Sequence, residues 1–133
     1  MIGWLKNLMG EKRDDGGLGG RGENLAAKYL RGLGYTIILR NFRCRLGEID
    51  IIARDGRTIV FVEVKTRADD ATANPHDHVD AIKQQHLTRV GQFYMSRYGT
   101  PRPPARFDVV SIVWPSGRDP QIEHIPNAFE PTF

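Results

Sequence analysis

Four charged residues, Glu48, Asp50, Glu63 and Lys65, alternate with apolar ones along two neighbouring stretches of β-forming sequence. Between them stands Asp55-Gly56, a dipeptide that favours a tight two-residue hairpin turn. A loop at 55–56 would place Arg54 opposite Arg57, Asp50 opposite Phe61 and Glu48 opposite Glu63. Side chains alternate along a strand, so Ile49, Ile51 and Ala53 would share an apolar face with Thr58, Val60, Val62 and Val64. The other face would carry the four charges, with Asp50 and Glu63 as diagonal neighbours about 7–8 Å apart.

Like charges placed side by side on a sheet oppose folding. Such conflicts are expected where a protein does chemistry. A cation would resolve this one, and oxygen donors without His or Cys suit Mg²⁺ or Mn²⁺. Either ion can activate a bound water and stabilise charge on a phosphoryl oxygen. Lys65 would place an ammonium beside it, to orient the water or to stabilise negative charge in the transition state. The combination suits hydrolysis of a phosphodiester. The plain alternative is a solvent-facing edge decorated with charge. Ile52, Ile59 and Phe61 on the same face argue instead for central strands.

The surrounding pattern predicts the elements that hold this hairpin. A helix over residues 20–33 would present Leu25, Ala26, Tyr29, Leu30 and Leu33, with Gly34 as its cap. Strands are expected over residues 35–42, 47–54 and 58–66, with a basic turn at 40–45. After a polar loop, 67–75, a long helix over 77–98 would present Val79, Ile82, His86, Val90, Phe93 and Arg97. Prolines at 101, 103 and 104 separate it from a strand over 107–114, and a short last strand fits 121–125. The order α-β-β-β-α-β predicts an α/β fold: a mixed sheet with flanking helices, the first three strands antiparallel and the crossover right-handed.

Composition narrows the setting. The chain has 133 residues, which fits one domain, expected at 18–133 behind a flexible segment, 1–17. Lys and Arg exceed Asp and Glu by 19 to 16, a mild excess that allows a polyanionic partner without demanding one. A single cysteine, Cys44, excludes an internal disulfide and a Cys-rich zinc site, and fits a reducing, cytoplasmic setting. No apolar run is long enough to span a bilayer. Met1–Gly10 is too short for a signal peptide and reads as a loosely attached tail. The glycines at 17–22 formally match GxGxxG but follow charged residues, not a strand. His76, His78 and His86 lack the further ligands of a zinc site and read as exposed imidazoles.

Asp50 followed, across twelve residues, by Glu63-Val64-Lys65 resembles the D…(D/E)-x-K signature of restriction-endonuclease-like nucleases. Ile49 stands where many members have proline. A closer likeness is to the YraN-like family of small predicted endonucleases, itself similar to archaeal Holliday junction resolvases. It rests on Gly22-Glu23 with Ala26, Tyr29 and Leu30, on Gly34-Tyr35, Asn41 and Arg43, and on Gly47-Glu48-Ile49-Asp50. Phe61 to Arg67, Lys83-Gln84, Arg106-Phe107-Asp108 and Asn127-Ala128-Phe129 complete it.

The resemblance implies a restriction-endonuclease-like core and a Mg²⁺ or Mn²⁺ site. Asp50 and Glu63 would be the main ligands, with Glu23 helping and the Val64 carbonyl in reach. Lys65 would be the catalytic lysine, Gln84 would support water and Lys83 phosphate. Arg43, Arg45 and Arg67, with Arg40, would bind phosphates flanking the scissile bond. Asp69 and Asp70 make the 67–75 loop acidic for a DNA-facing segment. The function implied is a metal-dependent DNA endonuclease, acting on branched or structured DNA and as a homodimer. A non-catalytic nucleic-acid-binding module on the same scaffold is the alternative.

Overall fold

The computed structural model of the protein describes residues 17–68 and 80–131. The Met1–Gly10 segment, Asp69, Asp70, His76, His78 and Val79 lie outside the described residues. The elements are α1 (Leu18–Gly32), β1 (Thr36–Cys44), β2 (Gly47–Asp55), β3 (Thr58–Arg67), α2 (Ala81–Met95), β4 (Ala105–Val113) and β5 (Gln121–Phe129). They form one five-stranded sheet in sequential order, antiparallel except for the β3–β4 pair, which is parallel. This is the α/β arrangement expected of a restriction-endonuclease-like core, with a last strand longer than its sequence pattern predicts. Among the described residues no helix is long and apolar enough to cross a membrane.

Each helix covers one sheet face. Ala26, Ala27 and Leu30 of α1 pack on Ile51, Ala53, Val60, Val62, Val110 and Ile112. The contact is close because α1 presents glycine and alanine: a Cβ on Gly22 would lie 1.9 Å from Thr66 Oγ1. Gly34, at φ +95°, follows the Leu33 cap as predicted, while Leu33 itself is exposed.

On the opposite face Leu87, Val90, Tyr94 and Met95 of α2 meet Ile49, Ile52, Ile59, Phe61 and Phe107. The buried stripe is therefore not the predicted one: Ile82 is 69% exposed and Phe93 46%. The reason lies beneath Gly91, where a Cβ would come within 2.9 Å of Phe107 and 3.2 Å of Phe61. The Phe61–Phe107 ring pair, 5.0 Å between centroids, selects the glycine side of the helix. Asp80 caps α2 by accepting the Lys83 N–H at 2.8 Å, so the described helix starts at Ala81.

The hairpin register differs from the predicted one by two residues. Asp55 pairs with Thr58 and Ile51 with Val62. The turn is Gly56-Arg57, with Gly56 at φ +60° supplying the left-handed residue, while Asp55 stays in the ladder. A second correction concerns Ile49, which packs on the α2 side, whereas Ile51 and Ala53 pack under α1. Opposite this stretch, between the Arg40↔Ile51 and Phe42↔Ile49 pairs, Asn41 adopts φ +57°. That left-handed residue breaks the alternation of β1: Arg40 reaches Glu23 of α1, and Phe42 packs against Tyr94 of α2.

A buried charge cluster ties the last two strands to the hairpin. Asp108 accepts from Arg106 Nε at 3.0 Å, His124 Nε2 at 2.8 Å and the Asn127 N–H at 2.9 Å. Arg106 also donates to the Tyr35 hydroxyl at 2.6 Å and to Asp55 at 3.2 Å. Burial alone would push the Asp108 carboxyl up, but the hydrogen bonds from His124, Arg106 and Asn127 outweigh it and hold the pKa below the usual range.

Candidate active site

The regular β2–β3 ladder runs from Asp55↔Thr58 to Ile51↔Val62, whereas β3 stays paired with β4 out to Arg67↔Val113. Just past the end of that ladder, the Val64 N–H is taken by Asp50 Oδ2 at 2.8 Å. The shifted register brings Asp50, not Glu48, level with Glu63. Glu48 pairs with Arg43 on β1, Nε to Oε1 3.4 Å. The acid row expected from a turn at 55–56 is therefore shifted in register, while Glu48 still lines one cavity with Asp50 and Glu63.

Asp50 and Glu63 open on a cavity of about 470 Å³ between the sheet and α2, shared with Glu48, Asp80 and Lys83. Asp50 also borders a second cavity, of about 260 Å³, on the α1 side with Glu23, Lys65 and Thr66. Glu63 Oε2 is bound by the Lys83 ammonium, and Lys65 Nζ lies 3.7 Å from the same oxygen. Burial and the neighbouring Lys83 ammonium hold the Lys65 amine below its ordinary pKa. Burial also opposes charge on Lys83, but hydrogen bonds to Glu63 and Lys65 and the Glu63 charge overcome it and raise its pKa.

Glu23 is 2% exposed. Its Oε1 accepts from Arg40 Nη2 at 2.7 Å, Arg40 Nε at 3.0 Å and Asn41 Nδ2 at 3.2 Å. Asp50 thus lines a cavity with Glu23 on one side of the sheet and, on the other, a cavity with Glu48, Glu63 and Asp80. Among the described residues no three His, Cys, Asp or Glu side chains gather as one metal-holding group.

Other candidates scatter. Arg45 is exposed in the β1–β2 turn, and Arg67, half-buried, ends β3. Gln84 is half-buried and does not line the larger cavity, whereas its neighbour Lys83 does. The Arg40–Asn41 clamp on Glu23 and the Lys83–Glu63 pair join residues far apart in the chain and were not predicted as contacts. The one local signal was Asn41, since asparagine tolerates the left-handed region better than most residues.

Residues 22–112 match the family described as Uncharacterised protein family UPF0102, a span that holds all of these side chains. A UPF0102 protein of Geotalea uraniireducens is 47% identical over 120 residues, 90% of this chain and 94% of that protein. One from Geobacter metallireducens is 52% identical over 113 residues, 85% and 92% of the two chains. One from Nocardia farcinica is 42% identical over 116 residues, 87% and 91%. The chain belongs to the UPF0102 family, the group of the YraN-like proteins.

Proposed function

We propose that this protein is a divalent-metal-dependent endonuclease that hydrolyses DNA phosphodiester bonds. One observation carries the reading: carboxylates from two adjacent strands, Asp50 and Glu63, open on one cavity, with two ammonium groups at Glu63. The candidate donors fit Mg²⁺ or Mn²⁺. They are all oxygens, and Glu63 already holds a cation, the Lys83 ammonium. Mg²⁺ usually takes one or two carboxylates and fills its remaining positions with water and substrate phosphate. Asp50 and Glu63 meet that need without a third acid; Glu23, held by Arg40 and Asn41, lines the cavity on the other side of Asp50.

Such an ion supplies an acidified water and neutralises charge on the phosphoryl oxygen. The rest falls to the chain. The Val64 N–H fixes the orientation of Asp50. Lys65 offers its ammonium to the charge that builds on the scissile phosphate. Arg43 and Arg45, beside and within the β1–β2 turn, suit phosphates on either flank. A substrate needing two symmetric cuts would engage two copies of the chain.

The Lys83–Glu63 ion pair favours a second reading, a DNA-binding module whose acids serve structure only. A panel of linear, flapped and four-way DNA with Mg²⁺ or Mn²⁺ separates the two. Cleavage that falls at least about a hundredfold in Asp50→Ala, Glu63→Ala and Lys65→Ala supports the nuclease, a loss typical for a charge-stabilising group. Cleavage that survives in those variants rejects it. Salt-sensitive binding with no cutting in either metal supports the module.

A further inference from the structure

The larger cavity has two unlike halves. One holds the carboxylates Glu48, Asp50, Glu63 and Asp80 with the Lys83 ammonium; the other is a wall of Leu46, Ile82, Leu87 and Val90 beside His86. Leu46 is 43% exposed and Ile82 69%, and both stand on the rim of this one cavity. Phosphodiester hydrolysis needs only the polar half. A paired duplex offers a protein its sugar–phosphate backbone and base edges, while the base faces stay stacked and out of reach. An unpaired base has an apolar face and a polar rim, the chemistry of this wall with the His86 imidazole at its side. The volume, about 470 Å³, lies within the range of small-ligand sites.

Resting on the nuclease reading above, we propose that this cavity takes an unpaired nucleobase next to the scissile phosphate. The base lies against Leu46 and Ile82, and its phosphate points to the carboxylate–ammonium end. The substrate class is then DNA with unpaired nucleotides at the cut, as in single strands, flaps or opened junction arms, in preference to uninterrupted duplex.

The test compares two strands of equal phosphate count, an oligothymidylate and an abasic strand of the same length. Binding to the full chain is measured by fluorescence anisotropy with Ca²⁺ in place of Mg²⁺. The expected result is about tenfold tighter binding of the base-bearing strand, the scale of one base contact. In Leu46→Ser/Ile82→Ser that preference falls to about twofold, with melting temperature and mass in solution unchanged. Ile82→Ser alone, at the more exposed position, shifts it the same way and replaces the double variant should that not fold. Equal affinity for the two strands, no binding of either, a preference that survives in the variants, or a variant whose effect is a change of oligomeric state each overturns the proposal. A parallel Mg²⁺ cleavage assay separates the two readings. Cutting without base preference rejects the base site alone; base preference without cutting rejects the nuclease alone.

Discussion

Asp50 Oδ2 accepts the Val64 N–H at 2.8 Å, so a side chain of β2 takes the place that a backbone carbonyl fills elsewhere along β3. This bond gives Asp50 two separable roles. Asp50→Ala should lower unfolding stability by about 1–2 kcal/mol, the scale for a lost hydrogen bond and an exposed donor. Asp50→Asn, which keeps an acceptor oxygen, should cost less than half of that. Both should abolish metal-dependent cleavage. Urea unfolding and a plasmid assay check this; equal destabilisation by the two variants would contradict the hydrogen-bonding role.

Lys83 occupies Glu63 as a cation. Lys83→Met should therefore improve Mn²⁺ or Mg²⁺ binding, with the dissociation constant falling about tenfold, equivalent to some 1.4 kcal/mol of relieved competition. Calorimetric titration of both proteins measures it. Weaker metal binding in the variant would mean that Lys83 does not compete for that carboxylate.

Asp108 makes stability depend on acid. Its folded pKa lies below the usual carboxylate value, so the folded state gives up this proton more readily than the unfolded one. The resulting stability is complete above the ordinary carboxylate range near pH 4, and is lost as the pH falls through that range toward the depressed folded value. Asp108→Asn should cost about 3–5 kcal/mol at neutral pH, the scale for breaking a buried ion pair. It should also flatten the acid limb. Unfolding free energies measured from neutral pH down to about pH 3 show both effects, and an unchanged acid slope in the variant would count against it.

Gly22 and Thr66 set the distance between α1 and β3. Gly22→Ala should destabilise by about 1–3 kcal/mol through overpacking. Thr66→Ala, introduced second, should restore part of the loss, because it removes Oγ1 and Cγ2 but keeps the Thr66 Cβ, 2.8 Å from a new Cβ. Thermal unfolding of the single and double variants completes the cycle. Full additivity would place the strain elsewhere.

The order of elements was legible because strand and helix periods differ and short turns force antiparallel neighbours. The hairpin shows how side chains can keep a common side through a shift of register. The sequence predicts Asp-Gly as the loop, but Gly56 supplies the left-handed residue and Arg57 completes the turn. The difference is two residues, one full strand period, so Glu48, Asp50 and Glu63 still line one cavity although Asp50 takes the position predicted for Glu48. Other features had no local signature. Ile49 changes sides beside a left-handed Asn41, and only the assembled sheet demands that conformation. On α2 the apolar period predicts a stripe through His86 and Arg97, whereas Gly91, which has no side chain to contribute to such a pattern, marks the contact with the sheet. The Glu23–Arg40 and Glu63–Lys83 pairs depend on packing between elements remote in sequence.

Beyond Ile51↔Val62, the regular ladder of β3 is with β4 alone, a parallel neighbour reached only after the chain has travelled through α2. Contacts of such long loop closure form late. A refolding chain would thus gain its meander of three strands early and the β4 pairing that braces Glu63 and Lys65 near the end. For the endonuclease proposed above, competence to cut would then trail the recovery of β-sheet signal.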